Sequence, residues 1–227
     1  MIGKLFKKIH DNIWMLRSLP KTLYFNFRYL PFSQAVKLPI LLYKPRFCCL
    51  SGKVRIDAGQ VRFGMVRLGV NSANIYPNSG IMLDIRGDVV FKGVSVIGNA
   101  SYLSVGGGQV TFGDSFMATA ALRIVCYEAI SFGDGVLVGW NTLFCDNDFH
   151  SVVDNNTGIT NRHVGKITVG DRVWIANGCS VMKNSSIPSG VIVGCNSLVN
   201  KPLDVPECSL VAGSPAILKK QNVSWVF

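Results

Sequence analysis

The chain is poor in charge and poorer in acid. Only 16% of its 227 residues are charged, and 13 acids face 23 lysines and arginines. With 48% hydrophobic residues it is too apolar for a disordered chain, and it can fill a sizeable core. Proline is scarce, at nine residues, so the 23 glycines belong neither to a collagen-like nor to a proline-rich chain. No uninterrupted apolar run approaches the roughly 18 residues that suggest a membrane-crossing helix. Lys4, Lys7 and Lys8 precede a stretch broken by Asp11, Asn12, Arg17 and Lys21, a poor fit to a cleaved signal peptide. The cysteines, Cys48, Cys49, Cys126, Cys145, Cys179, Cys195 and Cys208, are odd in number and include no C-x-x-C pair. That argues against a disulfide framework or a zinc ribbon, and scattered thiols suit a reducing compartment, so the cytoplasm is the expected location. GxSxG, P-loop and dinucleotide fingerprints are absent.

The positive charge is concentrated at one end. Residues 1–46 hold nine basic groups and one acid, a net of +8, whereas residues 47–227 hold 14 basic and 12 acidic groups, a net of +2. Residues 1–48 also differ in texture. Leu5, Ile9, Ile13 and Leu16 recur at helical spacing, Pro20, Pro31, Pro39 and Pro45 divide the segment, and Tyr24, Phe25, Phe27, Tyr29 and Phe32 cluster. The segment is expected to be helical. Two roles fit it: a cap burying its rings on the main domain, or a basic amphipathic surface touching anionic lipid or a polyanionic substrate. Confinement of the charge to this segment, without a recognisable nucleic-acid-binding fold, makes nucleic acid an unexpected partner.

From about residue 52 the chain alternates short Val-, Ile- and Phe-rich runs with Gly, Asn, Asp and Ser, which is strand and turn chemistry. The runs repeat. Ile175, Val181, Ile187, Val193 and Val199 stand six apart, and Cys179, Ser185, Val191 and Ser197 follow the first four of them by four. A second frame runs Phe112, Ala118, Ile124, Ile130, and a third runs Phe132, Val138, Phe144. Phe112-Gly113-Asp114, Phe132-Gly133-Asp134 and Val169-Gly170-Asp171 recur at larger spacing. One inward apolar side chain per six residues, with turn chemistry between, predicts a triangular coil of parallel strands whose turns bury a core only when stacked. The 37-residue step from Phe132 to Val169 fits one coil plus an insertion, and residues 146–165, polar and turn-rich, are the expected extruded loop. The predicted layout is a helical segment over 1–48, the coil over 49–205, and a turn and tail over 206–227.

The stretch VGDRVWIANGCSVMKNSSIPSGVIVGCNSLVNK (169–201), followed by VAGSPA (211–216), resembles the hexapeptide-repeat acyltransferases. LYFNFRYLPFSQAVKLPI (23–40) further resembles members that acetylate bacterial capsule, exopolysaccharide or lipopolysaccharide. The resemblance implies a left-handed parallel β-helix, a homotrimer with sites between neighbouring subunits, acetyl-CoA as donor and a sugar or glycan as acceptor.

Acetyl transfer to a hydroxyl needs a general base and donors for the oxyanion. His10 lies in the N-terminal segment, which leaves His150 and His163. His150, in Asp146-Asn147-Asp148-Phe149-His150, matches the family's catalytic histidine, with Asp146 or Asp148 to orient the imidazole. Arg162 and His163 are candidates to line the acceptor site, against the plainer reading of exposed loop residues. The resemblance carries CoA contacts onto Trp174, Ala176, Asn177, Gly194, Cys195, Asn200 and Lys201, with Lys219 and Lys220 as further phosphate contacts. Ala176 and Asn177 depart from the family's usual Gly and small residue, and Cys195 from its usual Ala. Cys145 occupies an ordinary repeat position and is expected to be structural. Zinc hydration chemistry on the same type of fold needs three histidine ligands, so no metal is expected. The alternatives are a scaffold without catalysis, or N-acetylation of an amino sugar; the chain shows no nucleotide-sugar-binding domain of the kind frequent in that group. Peripheral contact with the inner membrane through residues 1–48 is the expected exception to a free cytoplasmic protein.

Overall fold

A computed structural model of the chain describes residues 2–226, with side chains from residue 16 onward, so His10 lies outside the described side chains. A long helix, α1 (Ile2–Tyr29), and a single-turn helix, α2 (Phe32–Ala35), precede a stack of short strands. The chain visits three sheets in turn. Ile40–Leu42 lies in the first, Pro45–Leu50 in the second and Lys53–Ile56 in the third, and Val66–Val70 then returns to pair in parallel with Ile40–Leu42. Among the described residues the finished sheets hold nine, seven and six strands, a left-handed parallel β-helix of triangular section.

The six-residue frame is the core. Ile175, Val181, Ile187, Val193 and Val199 are each at most 1% exposed, and Cys179, Ser185, Val191 and Ser197 fill the positions between them. Lower in the stack the rings of Phe91, Phe112 and Phe132 lie face to face at 5.2 and 5.5 Å, with Phe116 and Phe144 tilted against them. Parallel pairing places Phe132 opposite Val169, so residues 146–165 are an insertion into a single coil. The Gly-Asp motif has a physical role at the corner between the third and first sheets. The Val94 N–H donates to Asp114 Oδ1 (2.6 Å), the Asp114 N–H to Asp134 Oδ1 (2.7 Å), and the Asp134 N–H to Asp171 Oδ1 (2.8 Å). Each carboxylate thus satisfies a corner N–H of the coil before it, where the parallel ladder has ended.

The coil extends beyond the expected bounds at both ends. Ile40–Leu42 and Pro45–Leu50 already form its first turn, inside the stretch expected to be helical, and Leu210–Ala212 continues the first sheet past 205. The hexapeptide frame fades at the first turn because α1, rather than another coil, covers its end. Ile40–Leu42 is an edge strand, and α1 meets it with polar side chains four residues apart. The Ile40 N–H donates to Asn26 Oδ1 (3.1 Å) and Asn26 Nδ2 donates to the Ile40 carbonyl (2.8 Å). The Leu42 N–H donates to Thr22 Oγ1 (3.2 Å), and the Lys44 N–H to Ser18 Oγ (3.0 Å). Four helical residues rise about 6 Å and two strand residues about 6.6 Å, so the two rows stay in step. All three side chains are buried, and the edge that would otherwise pair with another chain is closed. At the far end Ile217–Lys220 folds back antiparallel on Leu210–Ala212. No described helix is long and apolar enough to cross a membrane.

Candidate active site

The insertion leaves the second sheet at Cys145 and rejoins the third at Ile167. Its two arms run antiparallel, bridged at Asn147–Val164 and again at Val153–Thr160. His150 projects from the first arm, exposed, and its imidazole has no hydrogen-bond partner among the described residues. The chain turns just before it. Phe149 has φ +63°, its N–H donates to Asn147 Oδ1 (2.7 Å), and its ring meets Tyr127 edge-on at 5.6 Å. A histidine on a fixed turn, with both ring nitrogens open, is suited to exchange a proton with a bound hydroxyl.

Neither aspartate orients it. Asp146 is fully buried and its carboxylate accepts the N–H groups of Tyr127 (2.7 Å) and Glu128 (2.8 Å), closing the corner of the preceding coil. Asp148 pairs with Lys183 Nζ at 2.9 Å. The expectation that Asp146 or Asp148 holds the imidazole is therefore corrected: in D-x-D-x-H one carboxylate is spent on a corner and the other on a lysine of the next coil. That lysine was invisible to sequence reasoning. Lys183 Nζ also donates to the Arg162 carbonyl (2.8 Å), so it holds both arms of the loop at once. The Arg162 guanidinium lies 3.1 Å from Glu128 Oε1, tying the loop to the coil before it. This ion pair leaves the Arg162 side chain 71% exposed. His163 Nδ1 lies 3.4 Å from Ser151 Oγ, on the exposed side of the loop. Tyr127, Glu128 and Lys183 were missed because their partners are a whole coil away in sequence.

The residues assigned to CoA fall in four places. Ala176, Asn177, Gly194 and Cys195 stack at the corner between the first and second sheets, with Gly139 one coil below. A Cβ on Gly139 would stand 2.6 Å from the Asn177 nitrogen, so only glycine lets these corners approach. Among the described residues the N–H groups of Trp140, Asn177 and Cys195 make no hydrogen bond, leaving a column of donors along the stack. Amide carbonyls of a pantetheine arm fit such a column. Asn200 and Lys201 lie instead at the corner after the second sheet, the corner that carries the His150 loop. Lys219 and Lys220 are exposed on the antiparallel terminal strand. Trp174 is half-buried on the first sheet, 6.3 Å from Trp225, whose Nε1 donates to the Arg172 carbonyl. Within one chain the His150 corner and the Ala176–Cys195 corner are different edges of the prism.

The cysteines are all free. Cys145 is buried and its thiol donates to the Asn147 carbonyl at 3.1 Å, and burial pushes its pKa up, the opposite of what a nucleophile needs. No group of three or more His, Cys, Asp or Glu side chains is placed to hold a metal ion among the described residues.

No family model matches the chain. An uncharacterized 24.8 kDa protein of the cps region of Klebsiella pneumoniae is 27% identical over 160 residues, 70% of each chain. The putative lipopolysaccharide biosynthesis O-acetyl transferase WbbJ of Escherichia coli K12 is 26% identical over 127 residues, 52% of this chain and 63% of that protein, so over a third of WbbJ lies outside the match. Among solved structures, the polySia-specific acetyltransferase NeuO superposes with a TM-score of 0.51 at 19% identity, covering 81% of this chain and 85% of that one, a likeness of fold. In its repeat, its fold and its relatives the chain is similar to the hexapeptide-repeat acetyltransferases.

Proposed function

We propose that the protein moves an acetyl group from acetyl-CoA to a hydroxyl of a surface-glycan sugar, with His150 as general base. The observation that carries this reading is the unpartnered imidazole of His150, held on a loop anchored to the coils on both sides. The acceptor oxygen gives its proton to His150 as it attacks the thioester carbonyl. The C–O bond forms, the C–S bond breaks, and the proton passes to the departing thiolate. The pantetheine arm lies along the Trp140, Asn177 and Cys195 N–H column, with Lys201, Lys219 and Lys220 as cations for the CoA phosphates. Because His150 and that column occupy different edges, we propose that a neighbouring copy in a trimer brings them together. Oxygen as the acceptor atom is favoured by the relative WbbJ, named an O-acetyl transferase of lipopolysaccharide biosynthesis.

The test is transfer from radiolabelled acetyl-CoA to a panel of sugars and glycan fragments, followed by mild alkali. A product whose label is released by alkali is an ester and supports the reading. A stable amide on an amino sugar would replace it with N-acetylation. No CoA affinity and no transfer to any acceptor would leave a scaffold.

A further inference from the structure

The outward face of α1 is apolar and uncovered. Leu16 is 61% exposed, Phe27 48% and Leu23 38%. At 3.6 residues per turn these three fall along one line, with Leu19 and Tyr24 on either side of it. Ser18, Thr22, Phe25 and Asn26 are buried on the other side against the first coil, so the helix cannot roll to hide the exposed row. Phe32, 74% exposed with its ring 6.1 Å from Phe27, and Val36 extend the patch past the helix end. Monomeric surfaces rarely leave so broad an apolar patch bare.

Cations border it. Arg17, Lys21 and Arg28 share a second line along α1, and Lys37 follows α2. Lys21 Nζ donates to the Pro45 carbonyl and the Arg28 guanidinium to the Leu50 carbonyl, and neither is paired with a carboxylate among the described residues. Their charge is therefore positioned but not neutralised. A second copy of this helix would bring like charge against like charge. An anionic lipid surface offers both things the patch lacks: phosphates for the cations and acyl chains for the Leu and Phe side chains.

We infer that α1 and the α2 turn dock the protein flat on an anionic bilayer, with Leu16, Leu23, Phe27 and Phe32 inserted below the headgroups. Phosphates engage Lys21 and Arg28, and the long axis of α1 lies in the membrane plane. This docking is independent of the acetyl-transfer reading and of the acceptor.

The experiment is co-sedimentation of the full chain with vesicles of phosphatidylcholine, alone or with about one third phosphatidylglycerol, at low and high salt. Partition onto the anionic vesicles is expected to exceed that onto neutral ones by at least about tenfold, and to weaken with salt. The double variant Leu23→Glu/Phe27→Glu should lose about tenfold or more in partition while its melting temperature is unchanged, since both side chains are already partly in water. Phe32→Glu, at the most exposed position, should weaken binding in the same sense. Equal binding to both vesicle types, or undiminished binding by these variants, would overturn the inference. So would a double variant that changes the mass in solution but not the vesicle partition, which would make the face a contact between copies.

Discussion

Replacing Asp146 separates its structural role from a catalytic one. Its side chain is fully buried, and each carboxylate oxygen accepts one backbone N–H, from Tyr127 at 2.7 Å and Glu128 at 2.8 Å. Alanine leaves both donors without an acceptor. A hydrogen bond to a charged group contributes about 1.5–3 kcal/mol, and two suggest a loss of about 3–6 kcal/mol. Tyr127 is exposed, so water reaches part of this corner, and the lower end, about 3–4 kcal/mol, is the expected cost. For a chain of this size that lowers the melting midpoint by about 6–16 °C. Asp146→Asn should be nearly as costly, because its amide turns a donor toward a donor. Thermal unfolding of wild type and both variants measures this, with acetyl transfer followed at a temperature where all three are folded. The rate per folded molecule should stay within about threefold of wild type, the range left when no transition-state contact is removed. An Asp146→Asn protein with the wild-type midpoint and a rate down a hundredfold would refute this, and would return the carboxylate to His150.

Asn26→Leu removes both bonds to Ile40 and leaves the first edge strand unsatisfied, a cost of about 2–4 kcal/mol in denaturant unfolding; an unchanged midpoint would contradict the capping role. Lys183→Met frees both arms of the loop, and should raise proteolytic nicking between 148 and 163 and slow transfer about tenfold with CoA affinity intact; unchanged proteolysis would contradict the anchor. Burial raises the thiol pKa of Cys126, Cys145 and Cys179, so at a given pH each presents less thiolate, and a thiol reagent should reach them only on unfolding while Cys48, Cys195 and Cys208 react in the native protein.

The repeat was legible because it reports the burial of single side chains. A frame such as Ile175 to Val199 states which residues face inward, and Phe132 facing Val169 shows that the 37-residue step was one coil and an insertion. The ends were less legible. Ser18, Thr22 and Asn26 complete a strand edge with polar groups, so the first coil carried no apolar period to detect. In the site, sequence proximity misled. Asp146 and Asp148 stand near His150 in the chain, yet each is drawn to an adjoining coil, where the corner N–H groups and Lys183 lie. The groups that fix the loop are distant in sequence: Glu128 is 34 residues from Arg162 and Lys183 is 35 from Asp148, separations at which only the stacked fold makes them neighbours.

The most direct test of the central claim is acetyl-CoA binding by calorimetry with thiol release, wild type beside His150→Ala. The account predicts that both bind CoA and that only wild type releases thiol in the presence of an acceptor. Equal thiol release by His150→Ala would remove His150 as the base, and loss of CoA binding in both would contradict the acetyl-transfer reading itself.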